Sequence, residues 1–219
     1  MPSSFPLSPK LLRGGLVMVE PNSGNVKRVI ALQYNPDSLS RSLQIQGAGE
    51  GGERSEVLRL KGPAVETIKL EAEIDAADQL EFPDQHANTV QFGIQPQLSA
   101  LEGLINPSAA ELISSNGLAS IGTIEIAPAQ APLTLFVWSA QRILPVRLTE
   151  FSVTEDAFDP DLNPLRAKVS LGMRVLSVND VGFSHKAGTL FLGHLLNKEK
   201  LAAKTSGGAL SALGLGGIP

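Results

Sequence analysis

The sequence predicts a mainly β protein with a flanking helix (α+β), its antiparallel strands curling into a β-barrel. Three observations carry that prediction. Two long segments alternate apolar and polar residues with a period of two, at 67–74 and 165–175. A third, at 146–154, changes phase part-way along, as a β-bulge does, and bulges bend sheets toward closure. Between the strands one segment shifts to the three-and-four spacing of a helix.

The elements follow in chain order. Residues 1–14 hold three prolines and three serines and read as a flexible N-terminal arm. The stretch 15–36 reads as a hairpin: two apolar runs flank Glu-Pro-Asn-Ser-Gly-Asn, rich in turn formers, and Asn35-Pro36 ends the second run. The segment 47–57 has four glycines and three glutamates and reads as a loop. In 67–74, Ile68, Leu70, Ala72 and Ile74 take one face, and Thr67, Lys69, Glu71 and Glu73 the other. Its residue types favour helix, but alternation over eight positions decides for a half-buried strand. Leu98, Leu101 and Ile105 form the helical stripe, with Pro96 near its start and Pro107 at its end, and a short helix follows over 108–114.

Strands return at Leu133–Trp138 and Val146–Thr154. The final strand is the longest. Leu165, Ala167, Val169, Leu171, Met173 and Val175 line one face; Arg166, Lys168, Ser170, Gly172 and Arg174 line the other. Eleven residues of strand reach roughly 36 Å. Residues 186–204 suit an amphipathic helix, and the Gly/Ala/Ser/Leu tail after it is expected to be disordered alone. The domain reading is an arm at 1–14, a barrel at 15–182 and a C-terminal extension at 183–219.

Composition narrows the function. The 219 residues include no cysteine, which removes disulfides, thiol nucleophiles and thiolate metal sites. A net charge of −4 without a Lys/Arg run argues against nucleic acid. No stretch approaches the roughly 20 apolar residues of a membrane span, and no secretory signal opens the chain. A soluble protein made in the cytoplasm is expected, without membrane insertion.

Asp159, Asp161 and Asn163 follow the first ligand spacing of a calcium loop. The turn glycine is replaced by Pro164 and the bidentate glutamate by Ser170, so a stiff corner launching the last strand is the better reading. An acid pair for catalysis needs an apolar cleft, which a proline-rich surface corner does not offer. His86, His185 and His194 are far apart; His86 is read as solvated and His194 as partly buried and structural. There is no Gly-x-Ser-x-Gly elbow, and Glu50 and Glu53 oppose phosphate in the glycine-rich loop. Trp138 with Phe136 on one strand face allows a sugar platform, so a carbohydrate or cell-wall-binding β-sandwich module is the alternative function; a core contact is the plainer reading. No catalytic residue, metal or cofactor is expected.

Four segments together resemble the tube-protein family of contractile, phage-tail-like injection systems: 32–46 with Tyr-Asn-Pro, 60–81 with Gly-Pro and Leu-Glu, 132–176 with Phe-Val-Trp and Phe-Asp-Pro-Asp-Leu-Asn-Pro-Leu-Arg-Ala, and 93–105. The resemblance covers most of 16–180 and is similar to the tube-initiator and baseplate-adaptor branch. It implies a tail-tube-like barrel assembling as a hexameric ring, with other tube, baseplate and sheath proteins as partners. Many such members carry a C-terminal LysM module, and residues 186–219 show none. In such a ring Asp159, Asp161, Asn163, Arg166, Lys168, Arg174, Glu71 and Glu73 are the expected subunit-interface residues. Arg166, Lys168 and Arg174 either pair with Glu71 and Glu73, across strands or subunits, or stay solvated.

Overall fold

A computed structural model describes residues 12–21, 23–47, 58–120, 132–205 and 207–218. Residues 1–11 of the expected arm and 48–57 of the glycine-rich loop lie outside the described residues. The described chain forms one seven-stranded sheet in the order β2-β1-β5-β6-β7-β4-β3, antiparallel throughout. The strands are β1 (Gly15–Val19), β2 (Val26–Ala31), β3 (Leu39–Gln44), β4 (Val65–Asp75), β5 (Leu133–Ser139), β6 (Arg142–Phe158) and β7 (Pro164–Val175). The mainly β, α+β class therefore holds. The hairpin, the 67–74 strand and the last strand fall where the sequence placed them, but the longest strand is β6, with 17 residues, not β7, with 12.

Barrel closure does not hold. The sheet is open, with β2 and β3 as its edges. The register explains why. Pairing of β3 with β4 starts at Leu39↔Leu70, so β4 has no outer strand partner from Glu71 onward. Pro36 lies in the connection that would have to supply one. Side chains bridge the seam instead: the Tyr34 hydroxyl donates to Asp78 Oδ2 at 2.9 Å, and Gln33 holds the Asp75 backbone. Gln33 Nε2 donates to the Asp75 carbonyl at 2.8 Å, and Gln33 Oε1 accepts from the Asp75 amide at 3.0 Å.

The phase slip is real. In the β6–β7 ladder the register shifts between Leu148 and Glu150, which leaves Thr149 extra. One residue of bulge puts Leu148 and Phe151 on the same face although their numbers differ by three. That face carries the main core. Ile68, Leu70, Ala72 and Ile74 of β4 stand in register with Met173, Leu171, Val169 and Ala167 of β7, and all are buried. Leu16, Phe136, Leu144 and Val146 continue the layer across β1, β5 and β6.

The helices are α1 (Ala77–Leu80), α2 (Ala87–Phe92), α3 (Gln95–Glu102), α4 (Ala109–Ser120), α5 (Val178–Val181) and α6 (Lys186–Ala202). Leu98 and Leu101 of α3, with Ile94 and Leu104, join the sheet core, and Pro96 stands in the first turn. Ile105, expected on the same stripe, is 45 % exposed because α3 ends at Glu102. Helix α6 is longer than a surface appendage. Phe191 enters the main core, and Ala187 packs with Val19 and Leu133 on the reverse face of the sheet. The tail at 207–218 is exposed along its length, with a 3-10 turn at Leu210–Leu213.

Gly93, between α2 and α3, packs against the start of β7. Its φ is +56°, and a Cβ there would overlap the Pro164 carbonyl, while the Ile94 amide donates to that carbonyl at 2.9 Å. Gly93→Ala should lower stability by about 2 kcal/mol, read as a shifted urea midpoint at unchanged slope.

Candidate functional site

The outer face of β6, β7 and β4 is polar throughout, as one face of an antiparallel sheet can be. Its side chains are Thr67, Lys69, Glu71, Glu73 and Asp75 on β4, and Arg166, Lys168, Ser170 and Arg174 on β7. On β6 they are Arg147, Glu150, Ser152, Thr154 and Asp156. No apolar side chain interrupts them. Lys69, Arg147, Arg166, Lys168 and Arg174 give five cations; Glu71, Glu73, Asp75, Glu150 and Asp156 give five carboxylates. The same side of β1 and β5 is apolar, with Val17, Val19, Leu133 and Leu135, and helices α5 and α6 cover it through Val181 and Ala187. One sheet face thus has a covered apolar half and a bare, charge-balanced half.

Cross-strand register sets the pairs on the bare half. Arg166 lies opposite Asp75 and binds it at 2.7 Å. Burial alone would raise the Asp75 pKa, but the Ala77 amide and the Arg166 guanidinium outweigh it and hold the carboxyl below its ordinary value. Arg174 lies opposite Thr67 and reaches Asp180 at 2.6 Å, the residue that completes the capping box of α5 with Ser177. Within the chain, therefore, neither arginine pairs with Glu71 or Glu73. Register put Asp75 in reach of Arg166, and the α5 cap put Asp180 in reach of Arg174. Among the described residues no ion pair within 4.0 Å engages Glu71, Glu73 or Lys168, although Glu73 and Lys168 are directly opposed in the ladder.

Gly172 occupies the middle of this face. It is paired with Lys69 on one side and Glu150 on the other, and Lys69 Nζ meets Glu150 Oε2 across it at 2.6 Å. A Cβ on residue 172 would lie 2.7 Å from the Glu150 Cβ. A side chain here would push apart the bridge and the bulged stretch of β6.

The acidic corner is a corner. Asp159 Oδ1 accepts the amides of Asp161 at 2.9 Å and Asn163 at 2.8 Å, and Oδ2 accepts Asn163 Nδ2 at 2.8 Å. The Asn163 side chain, then burial in opposition, then the two amides act on Asp159, and its pKa is lowered. The turn places Leu162 at φ +65°, 79 % exposed. Asp159 is thus committed to its own turn, while Asp161 is exposed. Among the described residues no group of three or more His, Asp or Glu could hold a metal.

Trp138 stacks on buried Phe136 with ring centroids 5.8 Å apart and packs against the core, the plainer of its two readings. His86 is half-buried on the rim of a cleft of about 710 Å³, formed by β2, the end of β4 and α3. Its lining mixes Arg28, Gln33, Asp78 and Gln97 with Ile74 and Leu101.

Sequence reasoning missed Glu66. It lies in phase with Ile68 and Leu70 and is 4 % exposed. Arg41 Nε of β3 donates to it at 2.7 Å and Lys198 Nζ of α6 at 3.1 Å. Burial would raise its pKa, but those two cations overcome the effect and lower it. A charge on the apolar phase of a strand was the available signal.

No family model matches the chain, and no curated protein matches it. Among solved structures, it is similar to a chain in the C6-symmetric tail of an empty GTA particle. The identity is 10 %, over 74 % of this chain and 90 % of that one, at a TM-score of 0.30. A likeness at that score carries no weight for function. Among the described residues no helix is long and apolar enough to cross a membrane.

Asp159→Ala removes three hydrogen bonds and should lower the thermal midpoint, while millimolar calcium should leave the midpoint of the unaltered protein unchanged. A calcium-dependent rise would restore the metal-loop reading.

Proposed function

We propose that the chain is a non-enzymatic structural component of a contractile, phage-tail-like injection system. It forms a hexameric ring of the inner tube or of the tube-to-baseplate adaptor layer. The observation that carries the reading is the pair of open edges on one curled sheet. Edge strands with unpaired peptide groups invite addition, and soluble proteins blunt or cover them. Here β2 exposes Val26 and Val29, at 62 % and 64 %, and β3 exposes Leu43 at 52 %.

The strand count matters for how copies join. Seven antiparallel strands leave both edges running in the same direction. Copies related by rotation alone can then join edge to edge, head to tail, and close as a ring. The motif blocks at 32–46, 60–81 and 132–176 support the same reading through their resemblance to tube proteins. The bare polar half of the sheet suits a wall wetted by a lumen or facing a neighbour. Glu71, Glu73 and Lys168, which make no ion pair within 4.0 Å among the described residues, are the ionic groups such a neighbour would meet, with the exposed Asp161 at the corner beside them. A sugar-binding role draws no support from Trp138, which is committed to Phe136 and the core.

The β2 edge offers a specific test. The Leu32 amide donates to Gly14, toward β1, so by strand alternation the Val29 and Ala31 peptide groups point outward. Val29→Pro removes an outward donor without breaking the β1–β2 ladder. Native mass spectrometry and electron microscopy of the chain, purified with its particle partners, should show six-copy rings, and Val29→Pro should convert them to folded monomers. A persistent monomer in the unaltered protein overturns the proposal.

A further inference from the structure

We infer that α6 is an acid-released strap, docked on the sheet at neutral pH and lifted when His194 takes up a proton. The helix buries Ala187, Gly188, Phe191 and His194 along one face. His194 is 8 % exposed, and neither ring nitrogen has a hydrogen-bond partner among the described residues. A buried imidazole with both nitrogens unserved is costly, and it has nowhere to place an added proton. Among the described residues the charged groups acting on it are Lys198 on α6 itself, Arg41 on β3, Arg142 on β6 and the anion Glu66 on β4. That anion is already shared between Arg41 and Lys198. A proton on His194 would add a fourth cation to three.

Burial first, then the Lys198 ammonium, holds His194 below its ordinary value of 6.5, against the opposing pull of Glu66. The docked ring is therefore neutral, while a released ring titrates at the ordinary value. Docking is at full strength above that value and weakens as pH falls below it, by up to about tenfold per pH unit for one proton. The Glu66 pair does not fail in this window. Its pKa is lowered from 4.5, so it stays ionised until the pH is more acidic still. Between about pH 6.5 and 4.5 Glu66 stays ionised, and His194 is the buried group on the docked face of α6 whose charge changes. Lifting α6 takes Phe191 out of the core cluster and uncovers Val19 and Leu133, which Ala187 had covered.

Hydrogen exchange of the full chain at pH 7.5 and 5.5, corrected for intrinsic rates, reads the strap directly. Amide protection over 190–202 should fall about tenfold at the lower pH, with protection over 165–175 unchanged. His194→Leu should abolish the difference. Equal α6 protection at both pH values, a loss shared by β7, or an acid response surviving in His194→Leu each overturns the inference. Should the variant fail to fold, proton NMR of the histidines in the unaltered protein decides: a His194 pKa at or above 6.5 sinks it.

Discussion

The strand β7 is the constraint on which the rest of the structure depends. It is hydrogen-bonded on both flanks, to β4 over nine pairs from Thr67↔Arg174 to Asp75↔Arg166, and to β6 along its length. Because side chains alternate, fixing this register at one residue fixes it everywhere; a one-residue slip would exchange the apolar side chains of the layer with those of the polar face. Ala167, Val169, Leu171, Met173 and Val175 lie at 3 % exposure or less, so slipping would bury Arg166, Lys168 and Arg174 in their place. Burying charges without partners costs several kcal/mol each. The corner at 159–163 sets where that register begins, since Asp159 ties down both amides just before Pro164. The bulge at Thr149 and the missing side chain at Gly172 then let the sheet bend without losing it.

Much of this was legible in the sequence, for a simple reason. Period-two alternation is local, so β4 and β7 announce themselves, and a change of phase within β6 announces the bulge. Turn chemistry is local too, which is why Asp159, Asn163 and their prolines read as a corner rather than a metal loop. Closure is not local. Whether β2 meets β4 depends on the length and path of residues 32–38, and no pattern in those residues shows that β3 starts pairing only at Leu39. Ion pairs are not local either. Arg166 and Glu73 look like natural partners by type, but the partner is whichever carboxylate the register sets opposite, and that is Asp75. Glu66 was visible as an anomaly of phase; its partners, 25 residues before and 132 after, were not.

The two halves of the outer sheet face show how one surface does two jobs. Where β1 and β5 present valines and leucines, α5 and α6 cover them. Where β6, β7 and β4 present equal numbers of cations and carboxylates, no helix among the described residues covers them. The charges on the bare half screen one another, so it needs no partner for solubility. A wall of this kind attracts neither strongly acidic nor strongly basic material over distance. Shape, with short-range contacts at Glu71, Glu73 and Lys168, is left to decide what lies against it.

The Gln33 carboxamide stands where a strand residue would otherwise sit, offering Asp75 one donor and one acceptor in the geometry of a peptide group. A stitch made by a side chain is indifferent to the length of thread on either side of it. Beyond Asn35, whose side chain accepts from the Gly14 amide and donates to the Leu12 carbonyl, residues 36–38 can therefore gain or lose length without disturbing the fastening, so different widths of opening are compatible with one and the same wall.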